Sequence, residues 1–313
     1  MIKEEFYFDS RDGENRIHAV RYTPDDGNVR GIVQIVHGMA EYVERYENLA
    51  EFLTKRGILV TGEDHLGHGK SVSEGGSFGY FCEQDPATVV VRDVHRLKKI
   101  TEEQYPQVPY IILGHSMGSF IARNYLCRYG SGIDGAVIVG TGMQSSGLIF
   151  ASKAMAGIQK LFCGSKHVSH FIDKAAFGGY NKRIDSPRTS SDWLSRNTDN
   201  VDRYIADELC GFTFTVNGFQ TLFELIRRLQ KQENLEKVPQ NLPILMVSGA
   251  EDPVGDYGKG VRKACDSLKK AGVKNITVKL YENDRHELLN EDDAETAMED
   301  IWQWICKEVP GIV

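Results

Sequence analysis

Short apolar runs alternate with amphipathic stretches over most of this chain, and that alternation is what most constrains its fold, because it builds layered α/β sheets. Glu5 to Phe8 and Ile17 to Tyr22 read as an opening hairpin around Asp12-Gly13. Gly31 to Val36 follows as a buried strand, and Gly57 to Thr61, Pro109 to Gly114, Ile133 to Gly140, Leu242 to Ser248 and Ile276 to Tyr281 as further strands, eight in all. Helical spacing predicts a helix from Tyr46 to Lys55 with Leu49, Phe52 and Leu53 on one face. A long helix is expected from about Pro86 to Gln104, carrying Val90, Val94, Leu97 and Ile100, and another over 117 to 129. The last runs from about Asp292 to Lys307, with Ala297, Ile301 and Trp304 inward. The expected fold is therefore α/β, a mostly parallel eight-stranded sheet with helices on both faces.

About a hundred residues between the strands near Gly140 and Leu242 show helical patterns and no clear strand. A structureless loop of that length is improbable in a compact domain. Residues 142–240 are expected to form an inserted helical lid, and 1–141 with 241–313 the core. Within the lid, Gly147 to Phe162 is apolar and rich in small residues, and Phe212-Thr213-Phe214-Thr215-Val216 precedes a helix over 217 to 231. The 313 residues suffice for one core with such an insertion.

The net charge of -7 argues against nucleic acid as a partner. Six cysteines are scattered singly, with no C-x-x-C pair, so neither a zinc site nor a redox motif is expected. Acidic residues near the N-terminus stand where a signal peptide would be apolar, and no run reaches the length of a membrane span, which points to the cytoplasm. Arg227, Arg228 and Lys231 beside Leu222, Phe223 and Leu225 fit a solvated lid face as well as a transient membrane-surface contact.

The chemistry centres on Gly114-His115-Ser116-Met117-Gly118, placed directly between a strand and a helix. Such a turn, a nucleophile elbow, strains the serine backbone, and Gly114 and Gly118 remove side chains that would collide with neighbouring backbone. A serine hydroxyl needs a base, and the base needs an orienting carboxylate. Of nine histidines, His286 alone lies after the elbow and just beyond a C-terminal strand, in Glu282-Asn283-Asp284-Arg285-His286. The acid is sought at the end of the preceding strand, where Asp252 leads, Glu251 competes and Asp256 trails. Pro253 confines Asp252 to extended angles. Backbone amides of Met117 and, after the sharp turn at Gly38, of Met39 are the expected oxyanion donors. His37 and Glu41 are expected to brace that loop.

These residues, together with Asp64-His65-Leu66-Gly67-His68-Gly69-Lys70-Ser71 and Glu251-Asp252-Pro253, resemble the monoglyceride lipase and lysophospholipase branch of the α/β-hydrolase superfamily, also labelled serine aminopeptidase-like. The resemblance implies the triad Ser116, Asp252 and His286, oxyanion amides at Met39 and Met117, a mainly structural Asp-His-x-Gly-His-Gly-x-Ser segment, and no metal or organic cofactor. It also implies a small-molecule acyl ester as substrate. A peptidase or amidase would use the same triad and would need acids near the pocket to hold an α-ammonium, for which Glu208, Glu224 and Asp207 are candidates. A non-catalytic binding protein on the same scaffold would betray itself by a missing triad member, and none is missing.

Overall fold

The computed structural model describes residues 1–312. Its sheet comprises β1 (Ile2–Asp9), β2 (Arg16–Thr23), β3 (Gly31–Val36), β4 (Ile58–Glu63), β5 (Tyr110–His115), β6 (Gly135–Val139), β7 (Ile244–Gly249) and β8 (Ile276–Tyr281). The spatial order is β1-β2-β4-β3-β5-β6-β7-β8; β2 runs antiparallel to both its neighbours, β1 and β4, and every other pairing is parallel. The helices are α1 (Glu47–Thr54), α2 (Pro86–Gln104), α3 (Met117–Tyr129), α4 (Ser146–Cys163), α5 (His170–Phe177), α6 (Thr198–Ala206), α7 (Val216–Leu229), α8 (Gln232–Leu235), α9 (Lys259–Lys270) and α10 (Ala294–Glu308).

Strands β3 to β7 are buried along their whole length, which is why they read as unbroken apolar runs rather than alternating ones. Successive residues of β5 feed opposite cores. Tyr110 and Ile112 join Val94, Phe120 and Ala264 under α2, α3 and α9, whereas Ile111 and Leu113 join Leu49, Leu53 and Ile301 under α1 and α10. Chain order reverses between β3 and β5, and the crevice outside the carboxyl ends of strands at such a point is where ligands bind in open α/β sheets.

Several boundaries differ from the expectation for local reasons. Gly57 sits at φ +76°, so the fourth strand begins at Ile58. Pro243 lacks an N–H and joins β6 only through its carbonyl, which accepts from the Ala136 amide, so the seventh strand starts at Ile244 rather than Leu242. Val43–Tyr46 is a 3-10 turn that leads into α1, and the final helix begins at Ala294. Between β6 and β7 lie helices and one isolated bridge, Val168 with Thr215. Four of those helices carry side-chain caps: Ser145 on α4, Ser169 on α5, Asn197 on α6 and Thr215 on α7.

Candidate active site

Ser116 occupies the junction of β5 and α3 at φ 55°, ψ −121°, a conformation that costs a non-glycine residue of order 1–3 kcal/mol and persists only where neighbours enforce it. The neighbours are visible. A Cβ on Gly118 would run into the carbonyl oxygens of Val36 and His37, and one on Gly114 into the carbonyl of Gly118. A Cβ on Gly38 would come within 3.1 Å of the Ser116 Cβ, so the loop after β3 presses directly against the serine. The Ser116 amide is tied to the Val139 carbonyl at 3.1 Å, and the Ser119 hydroxyl donates to the Ser116 carbonyl at 2.5 Å.

The loops after β7 and β8 bring Asp252 and His286 together. His286 Nδ1 lies 3.0 Å from Asp252 Oδ1, off the ring's N–H axis, and both residues are buried. Asp252 is itself held by the Val254 amide at 2.8 Å and the Ser248 hydroxyl at 3.1 Å. Glu251 instead is half-exposed and faces Arg285, and Asp256 sits in a turn at φ 46°. Ser116 and His286 share the wall of one cavity of about 610 Å³. The hydrogen bond from Ser116 Oγ to His286 Nε2 is not formed in this arrangement, and such bonds commonly tighten only with substrate in place.

Met39 and Met117 both line that cavity, and neither amide donates to an acceptor among the described residues. At the first position of α3 the Met117 N–H has no acceptor within the helix. The Gly38 amide, by contrast, is occupied by Glu41 Oε1 at 2.5 Å. His37 braces the other side: Nδ1–H donates to the Gly38 carbonyl at 2.8 Å and Nε2 accepts from the His65 amide at 3.0 Å. That pairing needs a neutral ring, in line with burial lowering its pKa.

The Asp64–Ser71 segment is structural in the same sense. Asp64 accepts from the amides of Val43 and Lys70 at 2.9 Å each and faces His18 Nδ1 at 2.8 Å, while the Ser71 hydroxyl donates to the Asp64 carbonyl. It thereby locks β2, β4 and the turn that opens α1 into one unit.

Sequence patterns gave no sign of a second layer. Arg45 bridges Glu41 (2.9 Å) and Glu287 (2.7 and 2.8 Å), and Glu287 also accepts from Asn200 of α6 at 2.7 Å. His115 meets the Tyr46 hydroxyl at 2.9 Å, Glu41 at 3.3 Å and the His286 carbonyl at 3.1 Å. Both imidazole nitrogens therefore face acceptors. Burial works against charge on His115, but the Glu41 hydrogen bond and charge outweigh it, and its pKa is raised. Burial likewise opposes ionisation of Glu41, and the His115 hydrogen bond and Arg45 reverse this and hold it below the usual range. Gly140, at φ +58°, lies against the ring of His286: a Cβ there would be 3.1 Å from Cε1 and 3.2 Å from Nδ1. Trp193 stacks obliquely on the same ring at 5.1 Å. Apart from the Glu41–Arg45 pair four residues apart, such ties join residues far apart in the chain and leave no local pattern.

An elbow serine, a buried histidine–carboxylate contact and two free amides around one cavity define a serine hydrolase of the α/β-hydrolase fold. Residues 27–293 match the family model described as serine aminopeptidase, S33, and the chain belongs to that family. It is 28% identical to a monoglyceride lipase of Rattus norvegicus over 293 residues, 92% of this chain and 86% of that protein. It is 28% identical to a monoacylglycerol lipase of Mycolicibacterium smegmatis, covering 92% of each. Among solved structures, a thermostable carboxyl esterase from Bacillus coagulans, in complex with glycerol, superposes over the whole of both chains with a TM-score of 0.92 at 31% identity.

Proposed function

We propose that this chain is a serine ester hydrolase acting on acyl esters of the monoacylglycerol and lysophospholipid kind. Ser116 attacks the acyl carbonyl, and His286 takes its proton and returns it to the leaving alcohol. Asp252 orients and stabilises the imidazolium, and the amides of Met39 and Met117 receive the oxyanion. Water then clears the acyl-enzyme with the same base. The observation that carries this reading is the single cavity shared by Ser116, His286 and both unoccupied amides, backed by the buried Asp252. Its volume suits a lipid-sized small molecule, and Phe120, Met155, Phe177, Leu222 and Phe223 supply apolar wall. The lipase names of the curated relatives and the glycerol carried by the Bacillus esterase point the same way.

The peptidase reading finds less support. Of the acids considered for an α-ammonium, Glu208 is exposed, Glu224 is spent on Lys153, Arg227 and Arg228, and Asp207 accepts from Tyr42. Asp173 of α5 lines the cavity without a side-chain partner, and burial raises its pKa. It suits a hydrogen bond from a headgroup hydroxyl.

Residues 142–240 act in this account as a lid that meets lipid surfaces. Leu148, Phe150, Ile158, Leu161, Phe162, Val168 and Phe171 are all exposed, a concentration that monomeric surfaces rarely carry without a partner. Leu148 also lines the cavity, so the apolar face reaches its mouth. Lys166 and Lys174, which pair with no acid among the described residues, lie beside these residues and favour an anionic bilayer surface. No helix among the described residues is long and apolar enough to cross a membrane. Six free cysteines suit the cytoplasm. The test is a panel of esters varied in acyl length and headgroup, with aminoacyl amides alongside and Ser116→Ala as control. Turnover of acyl esters lost in the variant supports the reading, and preferential cleavage of aminoacyl amides overturns it.

A further inference from the structure

Two turns along α3 from the nucleophile stands a buried arginine that the triad does not use. Arg123 is 1% exposed and pairs with no acid among the described residues. Its Nη1 donates to the Gly142 carbonyl at 3.0 Å and to the Thr141 hydroxyl at 3.3 Å, while Nε and Nη2 meet no acceptor among the described residues. Burial pulls its pKa down only to about 10, so it stays a cation at neutral pH. A buried charge without a counter-charge costs stability. Its hydrogen bonds show what it acts on.

Thr141 and Ser119, both fully buried, link this cation to Ser116. The direction of each bond follows from what each group can donate. Arginine only donates, so Thr141 Oγ1 accepts from Arg123. A carbonyl only accepts, so the single proton of the Ser119 hydroxyl goes to the Ser116 oxygen across 2.5 Å. The 2.8 Å contact between the two hydroxyls is then filled by the Thr141 proton. Every bond runs the same way, from the guanidinium to the Ser116 carbonyl, and the Ser119 amide donates to that oxygen as well, at 2.9 Å. This carbonyl belongs to the peptide unit whose N–H is the Met117 amide. Donation to a peptide oxygen draws electrons through the partly double C–N bond and leaves the N–H more positive. Hydrogen bonds in a directed chain strengthen one another by about 10–30% each.

Taking Ser116 as the nucleophile of the ester hydrolase proposed above, on which the inference rests, we propose that Arg123, Thr141 and Ser119 form a polarising chain behind the oxyanion hole. The chain holds the Ser116–Met117 peptide unit in place and strengthens the Met117 amide as a donor to the tetrahedral intermediate. None of the three side chains lines the cavity, so they are positioning residues that act through Met117 and not on substrate. Loss of one oxyanion donor costs about 10²–10³-fold in kcat, and 10–30% of that free energy corresponds to about 2- to 8-fold.

The experiment compares Thr141→Val, which keeps the shape and loses the hydroxyl, with Thr141→Ser, which keeps the hydroxyl and loses a methyl. With a soluble ester, Thr141→Val should lower kcat by about 2- to 8-fold at unchanged KM, and Thr141→Ser should retain the parent kcat. Equal kcat in the two variants, or the reverse order expected of a packing role, overturns the proposal. A trifluoromethyl ketone bearing the same acyl chain is the second probe. Ser116 Oγ bonds to its carbonyl carbon, His286 takes the hydroxyl proton, and the carbonyl oxygen becomes an oxyanion in the same hole. The pH at which the fluorine resonance of this adduct titrates should rise by about 0.3–0.9 in Thr141→Val and hold in Thr141→Ser. An unmoved titration in Thr141→Val overturns the polarisation of Met117. Arg123→Met should lower kcat at least as far as Thr141→Val, and full kcat in that variant removes the cation from the chain. Ester turnover that survives Ser116→Ala would instead overturn the reading of Ser116 itself, and the chain with it.

Discussion

Replacing Arg45 by methionine tests whether the buried charge network holds the active-site loops. Arg45 is nine-tenths buried and stands between Glu41 and Glu287, which are buried as well. Methionine fills much of the volume of the arginine stem but leaves the two carboxylates without their cation. Breaking a buried pair by removing one partner costs about 3–5 kcal/mol, chiefly through the uncompensated charge. For 313 residues, an unfolding entropy of about 2.1 cal/mol/K per residue totals about 0.66 kcal/mol/K. The melting temperature should therefore fall by about 5–8 °C. Activity should fall too, because Glu41 holds the Gly38 amide and Glu287 adjoins His286, and a misplacement of 1 Å at such loops costs up to about 10²-fold in kcat. Adding Glu287→Gln to Arg45→Met should restore part of the lost stability by removing one orphaned charge. The assays are differential scanning calorimetry and steady-state hydrolysis of a soluble chromogenic ester. A melting temperature within 1–2 °C of the parent, or no rescue in the double variant, would refute the reasoning.

Three further outcomes follow from the same geometry. Gly140→Ala should lower kcat by about 10-fold or more with little change in KM, since the new methyl meets the His286 ring and the position demands φ > 0; full activity would show that the ring has room to spare. Asp93 of α2, raised by burial to about 7 despite bonds from Ser10 and the Arg11 amide, binds a proton more tightly folded than unfolded. Its contribution is present below the ordinary aspartate pKa and is lost as pH rises through about 7, so Asp93→Asn should flatten the decline in stability between about pH 4 and 7 in urea titrations. An unchanged slope would count against it. Phe162→Ser with Leu161→Ser should weaken binding to anionic vesicles while leaving soluble-ester turnover intact, and equal vesicle binding by the variant would remove the membrane role from the lid.

The middle of the sheet was legible because β3 to β7 are buried on both faces and bounded by glycine and proline, so strand identity there needed only local pattern. Ser116, Asp252 and His286 could be singled out because each sits beyond a strand end, where position along the chain maps onto position in space. Asp252 could be preferred over Glu251 only weakly from Pro253, and contact with His286 distinguishes them. Arg45, Glu287, Asn200 and Gly140 were not legible. Their contacts span between about ninety and two hundred and forty residues of sequence, and a buried Arg–Glu pair looks from the sequence like any solvated charge. The helices of 142–240 were harder still. Their apolar residues point both to the cavity and to solvent, so no single face repeats cleanly along α4.

The most direct test of the account is intact-mass and peptide mapping of the protein after brief exposure to a fluorophosphonate. One adduct per chain on Ser116 is predicted, absent in Ser116→Ala and slowed by about 10³-fold or more in His286→Ala. Labelling at another serine, or unchanged labelling of the Ser116→Ala variant, would contradict an activated nucleophile at the elbow.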